Sequence, residues 1–235
     1  GIPLLFVELK NTNVDVQNAY TDNYTDYLDT IPHLFYYNAF LVLSNGLEAK
    51  VGTLGSKYEF FHEWKRLEEK EQGSVALETM LRGICKKENF PDLLENFILF
   101  DHSGGRITKI LARNHQYLGV NKAVKAYEAR KLKEGKLGIF WHTQGSGKSY
   151  SMVFLAQKIR RKFAGSPTIV ILTDRDELNK QISDTFENCG LLGKSKASQF
   201  IATSGDDLVQ KLHGNPSFIF TLIQKFNKPG ADPIY

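Results

Sequence analysis

The sequence predicts an α/β fold. Three observations carry that expectation. Strand-like and helix-like segments alternate through the second half of the chain, a glycine-rich loop stands between an apolar run and an amphipathic one, and the first residues already read as a strand. Strand–helix–strand–helix–strand order implies a parallel sheet covered on both faces. The 235 residues are enough for two modest domains or one large one. Apolar residues make up 42% and charged residues 24%, a balance that argues against extensive disorder. The formal charge of +4 excludes a global basic field, so nucleic-acid contact would have to come from local patches. The longest largely apolar run, Leu34–Leu43 broken by Asn38, is too short to span a bilayer. Cys85 and Cys189 form no CxxC pair, so neither a zinc site nor a disulfide scaffold is indicated.

Leu4–Lys10 is strand-like, with β-favouring Phe6 and Val7. Ala39–Ser44 is a second strand, stopped by the turn signal Asn45-Gly46, and Glu48–Thr53 can return as its hairpin partner. Tyr58–Glu71, Leu77–Ile84 and Leu93–Phe100 read as helical. His102-Ser103-Gly104-Gly105 is the candidate linker. Beyond it, Asn114–Leu132 is a helix with a rough 3.6 period through Tyr117, Val120 and Val124. Leu137–Trp141 is a short strand, Ser149–Phe163 a helix, Thr168–Leu172 a strand, Glu177–Phe186 a helix capped by Asp176, and Phe218–Leu222 a third buried strand. The chain opens in mid-strand and closes at Pro233-Ile234-Tyr235. It is expected to be an internal fragment of a longer protein, soluble and cytoplasmic.

The loop His142-Thr143-Gln144-Gly145-Ser146-Gly147-Lys148-Ser149 follows the pattern Gly-x-x-x-x-Gly-Lys-Ser/Thr, with His142 in the first place. Its glycines let backbone amides turn inward around a phosphate, and the positive end of the following helix points to the same place. Lys148 supplies a charge for the β- and γ-phosphates of ATP, and Ser149 a hydroxyl for Mg²⁺. The alternative, an ordinary turn before a helix, does not require strand, loop and helix in this order. Thr173-Asp174-Arg175 stands at the next strand's end, where such folds place functional residues. Arg113 and Gln116 could read adenine by stacking and paired hydrogen bonds, although on spacing alone a solvated helix face is the simpler reading.

Glu8 and Lys10 are two apart on a strand and so share one face, with Leu9 on the other. A carboxylate and a lysine so placed can hold Mg²⁺ and orient a water for phosphodiester cleavage. The triplet is a very common one, and taken alone it reads better as a surface ion pair.

Taken together, Glu8-Leu9-Lys10, Ile31-Pro32, Ser44-Asn45-Gly46, Asn114-His115-Gln116, Trp141 through Ser149, Thr173-Asp174-Arg175 and Ile223-Gln224-Lys225-Phe226 resemble the restriction (R) subunit of type I restriction–modification enzymes. That resemblance covers nearly the whole chain. It implies the C-terminal part of a PD-(D/E)xK endonuclease domain over 1–103 and an incomplete first RecA-like domain, of superfamily 2 helicase type, over 104–235. Glu8 would be a metal ligand and Lys10 the catalytic lysine. Thr143, Gly145, Ser146, Gly147, Lys148 and Ser149 would hold ATP·Mg²⁺, and Arg113 and Gln116 would belong to the adenine-recognising segment. The family's Gln-x-x-x-Tyr element corresponds to Asn23 through Tyr27, with Asn in place of Gln, which nominates Tyr27 as a catalytic-site residue. The family's upstream nuclease Asp and an acidic motif downstream of Phe226 do not fall within the sequence. The implied substrate is double-stranded DNA and the implied partners are methyltransferase and specificity subunits, with no membrane. Two other readings remain open: a superfamily 2 helicase or remodeller without nuclease activity, and a non-catalytic nucleotide-binding module.

Overall fold

The computed structural model describes residues 1–226, so Pro233-Ile234-Tyr235 of the sequence reading lie outside the described residues. The chain is a mixed α/β structure in two compact units. One comprises Gly1–Phe100 with Ile107–Trp141, the other Asp101–Arg106 with the residues from His142 on.

The first unit is built on a three-stranded sheet of β1 (Leu5–Leu9), β2 (Phe40–Ser44) and β3 (Ala49–Gly52), in that order. β1 runs parallel to β2, with Glu8 opposite Leu43, and β2 pairs antiparallel with β3. The β2–β3 turn forms because Gly46 takes a φ of +89° and the Asn45 side chain accepts hydrogen bonds from the amides of Leu47 and Glu48. β2 is buried at every position, as expected for a central strand. The β1–β2 crossover contains a π-helix, Ala19–Tyr24, continued by α1 (Thr25–Thr30). It packs Val16, Ala19, Tyr24 and Phe35 against Leu41, Leu43 and Phe61.

The rest of this unit departs from the sequence reading in two places. Tyr58–Glu71 is not a helix. Only Tyr58–Phe60 makes a short 3₁₀ turn, and the backbone of His62 then pairs with Val51 of β3. The reason is tertiary: Phe61 and Trp64 are both buried but in different places, Phe61 against Tyr20 and Tyr24 and Trp64 against Tyr117, which an extended segment permits. Helix α2 (Leu77–Ile84) forms where expected. Helix α3 spans Asn89–Asn96, and Ile98–Asp101 beyond it is β4, hairpin partner of β5 (Thr108–Leu111), rather than the end of a helix. The Ser103-Gly104 linker is the β4–β5 turn. Helix α4 (Asn114–Glu128) lays Tyr117 on Trp64 and Phe97, with ring centroids 5.3 and 4.7 Å apart. Those contacts place α4 within the first unit.

The second unit contains α5 (Lys148–Lys162), β6 (Ile169–Thr173), α6 (Asp176–Asn188), α7 (Gly205–His213) and β7 (Phe218–Leu222). β6 and β7 are parallel, as alternation predicts, with Ile171 opposite Phe220. Phe186 of α6 packs edge-on against Phe218 and Phe220. The N-cap of α6 is Arg175, without a side-chain cap, and Asp176 is the first helical residue rather than the cap. Helix α7 is capped by the Ser204 hydroxyl, which accepts from the Asp207 amide.

Leu137–Trp141 does not form the strand expected ahead of the glycine-rich loop. It has no regular structure, and Ile139 and Trp141 are 95% and 78% exposed. The Phe140 ring lies so close over the α4 backbone at Gly119 that a methyl group there would stand 1.9 Å from it. Glycine's lack of a side chain thus gives Phe140 a seat on α4, within the first unit, in place of a position in a sheet.

Candidate functional site

Two groups of residues concentrate chemistry, one in each unit. The first is one face of β1. Period-two alternation puts Phe6, Glu8 and Lys10 on the side that is partly buried, while Val7 and Leu9 face out. Phe6 anchors that face in the aromatic core, 5.0 Å from Phe35 and 6.2 Å from Tyr27 by ring centroid. The crossover then supplies the partners. Lys10 donates its ammonium hydrogen to the side-chain oxygen of Asn23, and the Asn23 amide donates to the Tyr27 hydroxyl at 3.4 Å. Glu8, Lys10, Asn23 and Tyr27 are thereby gathered on one surface. Burial raises the Glu8 carboxyl above the ordinary value of 4.5, against the weaker opposing pull of the Lys10 charge. Among the described residues no group of three or more His, Cys, Asp or Glu is placed to hold a metal. Glu8 presents a single carboxylate on this face, with the Lys10 positive charge beside it.

The second group is the loop ahead of α5. Gly145 and Gly147 adopt φ of +76° and +79°, a left-handed conformation that a side chain would strain. Such turns aim successive amides into one concavity, where the positive end of the α5 dipole adds to them. Gly147 is the N-cap and Lys148 the first residue of α5. The Lys148 ammonium donates to the carbonyl oxygens of His142 and Thr143, at 3.0 and 2.8 Å, and the Ser146 hydroxyl donates to Thr143 at 2.8 Å. The lysine is thus held over the loop on oxygens that a phosphate oxygen would replace. Ser149, half-buried in the first turn, is positioned on the same helix end. This donor set fits a nucleotide's phosphates.

At the C-terminal ends of the parallel strands the structure joins two of the sequence motifs. The Gln224 side chain donates to the Asp174 carbonyl oxygen at 3.1 Å, tying the segment after β7 to the one after β6. Asp174 and Arg175 form an exposed ion pair at 3.4 Å. Arg113 and Gln116 lie at the start of α4, in the other unit. Gln116 is buried, and its side-chain oxygen accepts from the Arg113 amide at 2.8 Å, so this pair also builds the helix start.

Sequence reasoning missed two features. His62 is half-buried with both ring nitrogens enclosed, and its pKa is pushed down to about 4, chiefly by burial and then by the Arg113 charge, against backbone hydrogen bonding from Glu63 and Leu111 that pulls the other way. Its pairing with β3 has no sequence signature. Tyr150, two residues beyond Lys148, donates to Asp101 at 2.5 Å. Burial first and then the buried Asp101 carboxylate raise that phenol well above its ordinary value, and burial raises the nearby Cys189 thiol to about 12.

Residues 115–234, just over half of the chain, match the family model of the SWI2/SNF2 ATPase, so the class of the chain's second half is that ATPase. Residues 1–60 match the model of the type I restriction enzyme R protein N terminus. The chain is similar to the type I restriction enzyme HindI endonuclease subunit of Haemophilus influenzae, with 36% identity over 96% of this chain and 22% of the relative. It is also similar to the putative type I restriction enzyme MjaIXP endonuclease subunit of Methanocaldococcus jannaschii, with 32% identity over 100% of this chain and 24% of the relative. A Staphylococcus aureus type I endonuclease subunit, SauCOLORF180P, is 24% identical over 97% of the chain. The chain belongs to the R-protein family of type I restriction enzymes and carries a SWI2/SNF2 ATPase segment. It spans between 22% and 24% of the length of the relatives named first.

Proposed function

We propose that this chain is the part of a type I restriction enzyme's motor and endonuclease subunit in which the nuclease surface and the ATP phosphate loop adjoin in sequence. The whole subunit would couple ATP-driven translocation of double-stranded DNA to its cleavage, working with methyltransferase and specificity subunits in the cytoplasm. The observation that carries the reading is the co-occurrence of a Glu8–Lys10 face closed by Asn23 and Tyr27 with a complete Gly145-Ser146-Gly147-Lys148-Ser149 loop in one chain. The architecture proposed for the two parts is a PD-(D/E)xK nuclease domain over 1–103 and a RecA-like domain over 104–235.

In this reading Glu8 is a ligand of Mg²⁺, Lys10 steadies the charge that develops on the scissile phosphate, and Tyr27 holds the Asn23 amide in place. Mg²⁺, when bound, supplies a polarised water and charge neutralisation. Thr143, Gly145, Ser146 and Gly147 present the loop backbone to ATP, Lys148 reaches the β- and γ-phosphates, and Ser149 orients the nucleotide's Mg²⁺. Arg113 and Gln116 belong to the adenine-recognising segment. Because Glu8 and Lys148 lie in different compact units, the two chemistries should separate by mutation. In the complete enzyme, Glu8→Ala or Lys10→Ala should abolish DNA cleavage while ATPase activity and translocation persist. Equal loss of cleavage and ATPase would make the pair structural and favour the helicase or remodeller reading.

A further inference from the structure

We infer that Tyr150 is a positioning residue for the phosphate loop: its bond to Asp101 sets the orientation of the first turn of α5, and with it the direction in which Ser149 presents its hydroxyl. The inference rests on the reading of Lys148 and Ser149 as ligands of a nucleotide and its Mg²⁺. The first amides of a helix have no partner within it, so the geometry of a helix start depends on what it meets outside. Gly147, the N-cap of α5, has no side chain with which to cap it. Two residues beyond Lys148, the Tyr150 hydroxyl donates to a carboxylate oxygen of Asp101 at 2.5 Å. A phenol on a carboxylate makes a charge-assisted bond, about twice as strong as one between neutral groups.

The acceptor is itself fixed. Asp101 is 6% exposed, and its second carboxylate oxygen accepts from the Ser103 amide at 2.8 Å, so both oxygens are committed. The neighbouring His102 amide donates to the carbonyl oxygen of Asn188, the last residue of α6, at 3.1 Å. The Asp101–Arg106 turn, α5 and α6 belong to one compact unit. Against the cost of burial, the bonds from Tyr150 and Ser103 keep Asp101 below the ordinary carboxylate value, so it remains charged at neutral pH. Tyr150 thus meets a buried, ionised and doubly held partner. Successive residues of an α-helix are about 100° apart around its axis, and a tyrosine ring is a stiff tether. Holding the phenol therefore fixes the rotation of the first turn, and that rotation decides where half-buried Ser149 points. Lys148 depends on it less, because its long flexible chain can follow a shifted phosphate. The serine hydroxyl, close to the backbone, has no such reach.

The test uses the complete subunit and measures its affinity for a non-hydrolysable ATP analogue in Mg²⁺ and in EDTA, together with DNA-stimulated ATPase activity. The ratio of the two affinities reads the Mg²⁺ contact apart from the rest of the nucleotide. Tyr150→Phe, which removes only the hydroxyl, should lower that ratio by about 3- to 10-fold while the affinity in EDTA is unchanged. ATPase activity at limiting Mg²⁺ should fall by a similar factor. Asp101→Asn, which keeps an acceptor of about half the strength for the phenol, should give a smaller loss. The double variant Ser149→Ala/Tyr150→Phe should lower the ratio no further than Ser149→Ala alone, since the tyrosine acts through the serine. An unchanged ratio in Tyr150→Phe, an equal loss of affinity in EDTA, or additive losses in the double variant would overturn the inference. So would a larger loss in Asp101→Asn than in Tyr150→Phe. Ser149→Ala serves as the control for the underlying reading. If Ser149→Ala keeps the parent's ratio, the assignment of Ser149 to Mg²⁺ fails. If it lowers the ratio and Tyr150→Phe does not, only the positioning role fails.

Discussion

The burial of His62 should make the first unit sensitive to acid, with a sign and size that follow from its environment. Its ring nitrogens are enclosed, and burial together with the positive charge of Arg113 and His115 outweighs the backbone hydrogen bonding from Glu63 and Leu111. The folded state therefore resists protonation down to a pKa of about 4, whereas the unfolded chain takes up the proton near 6.5. Between those values the unfolded state binds more protons, so stability falls as pH falls and the loss is complete below about 4. The displacement corresponds to about 3 kcal/mol in full, of which about 2 kcal/mol is lost between pH 7 and pH 5. The assay is urea unfolding of the chain at several pH values, read by Trp64 fluorescence in a Trp141→Phe background, since the sequence has 2 tryptophans. Other groups titrate over the same range, so the decisive quantity is the difference from His62→Leu. That variant should lose about 2 kcal/mol less than the parent between pH 7 and pH 5. If both chains weaken in parallel, the proton is taken up elsewhere and the account of His62 is wrong.

Three further outcomes are expected. Lys148→Ala should lower nucleotide-dependent activity of the complete subunit by about 100-fold or more while calorimetric unfolding stays the same, because the ammonium bonds only exposed loop carbonyls and fills no core. Burial raises Glu8 and a proton competes with Mg²⁺ for the same carboxylate, so the half-saturating Mg²⁺ concentration for single-turnover cleavage should rise on acidification. Gly52→Ala should destabilise the first unit by about 1–3 kcal/mol in urea titrations, because its methyl group would stand 2.6 Å from the buried Phe61 ring.

How much of this could be read in advance depends on whether local pattern or distant packing decides each element. β1, β2, β6 and β7 are runs of β-branched and apolar residues between turn signals, and they form within a residue or two of expectation. Helices α2, α4, α5 and α6 show helical spacing and likewise form. Where the reading fails, a contact with a distant residue outweighs the local preference. Phe140 is claimed by Gly119, so an apolar run that should be a strand lies open. His62 pairs with Val51, so a charged stretch of helical character stays extended. The π-helix escapes for a related reason. Its core positions, Ala19 and Tyr24, are five apart, a spacing that belongs to neither of the common periods.

The candidate sites divide along the same line. The phosphate loop is legible because its chemistry is local: two left-handed glycines, a lysine and a hydroxyl within five consecutive residues, all fixed by one glycine turn and the helix after it. The Glu8–Lys10 pair is half legible. Period two places both side chains on one face, but the triplet alone does not distinguish a working pair from a surface one. What separates the two is Asn23, thirteen residues further along, whose oxygen meets the Lys10 ammonium. The same holds beyond β6, where the sequence places Thr173-Asp174-Arg175 at a strand end but not its partner, Gln224, which bonds the Asp174 carbonyl fifty residues later. Parallel strands bring such segments together because each strand ends on the same edge of the sheet as its neighbour, so motifs far apart in sequence converge there without any local signal. A site made within one turn can therefore be argued from sequence, whereas a site made by a crossover requires the register that the crossover sets.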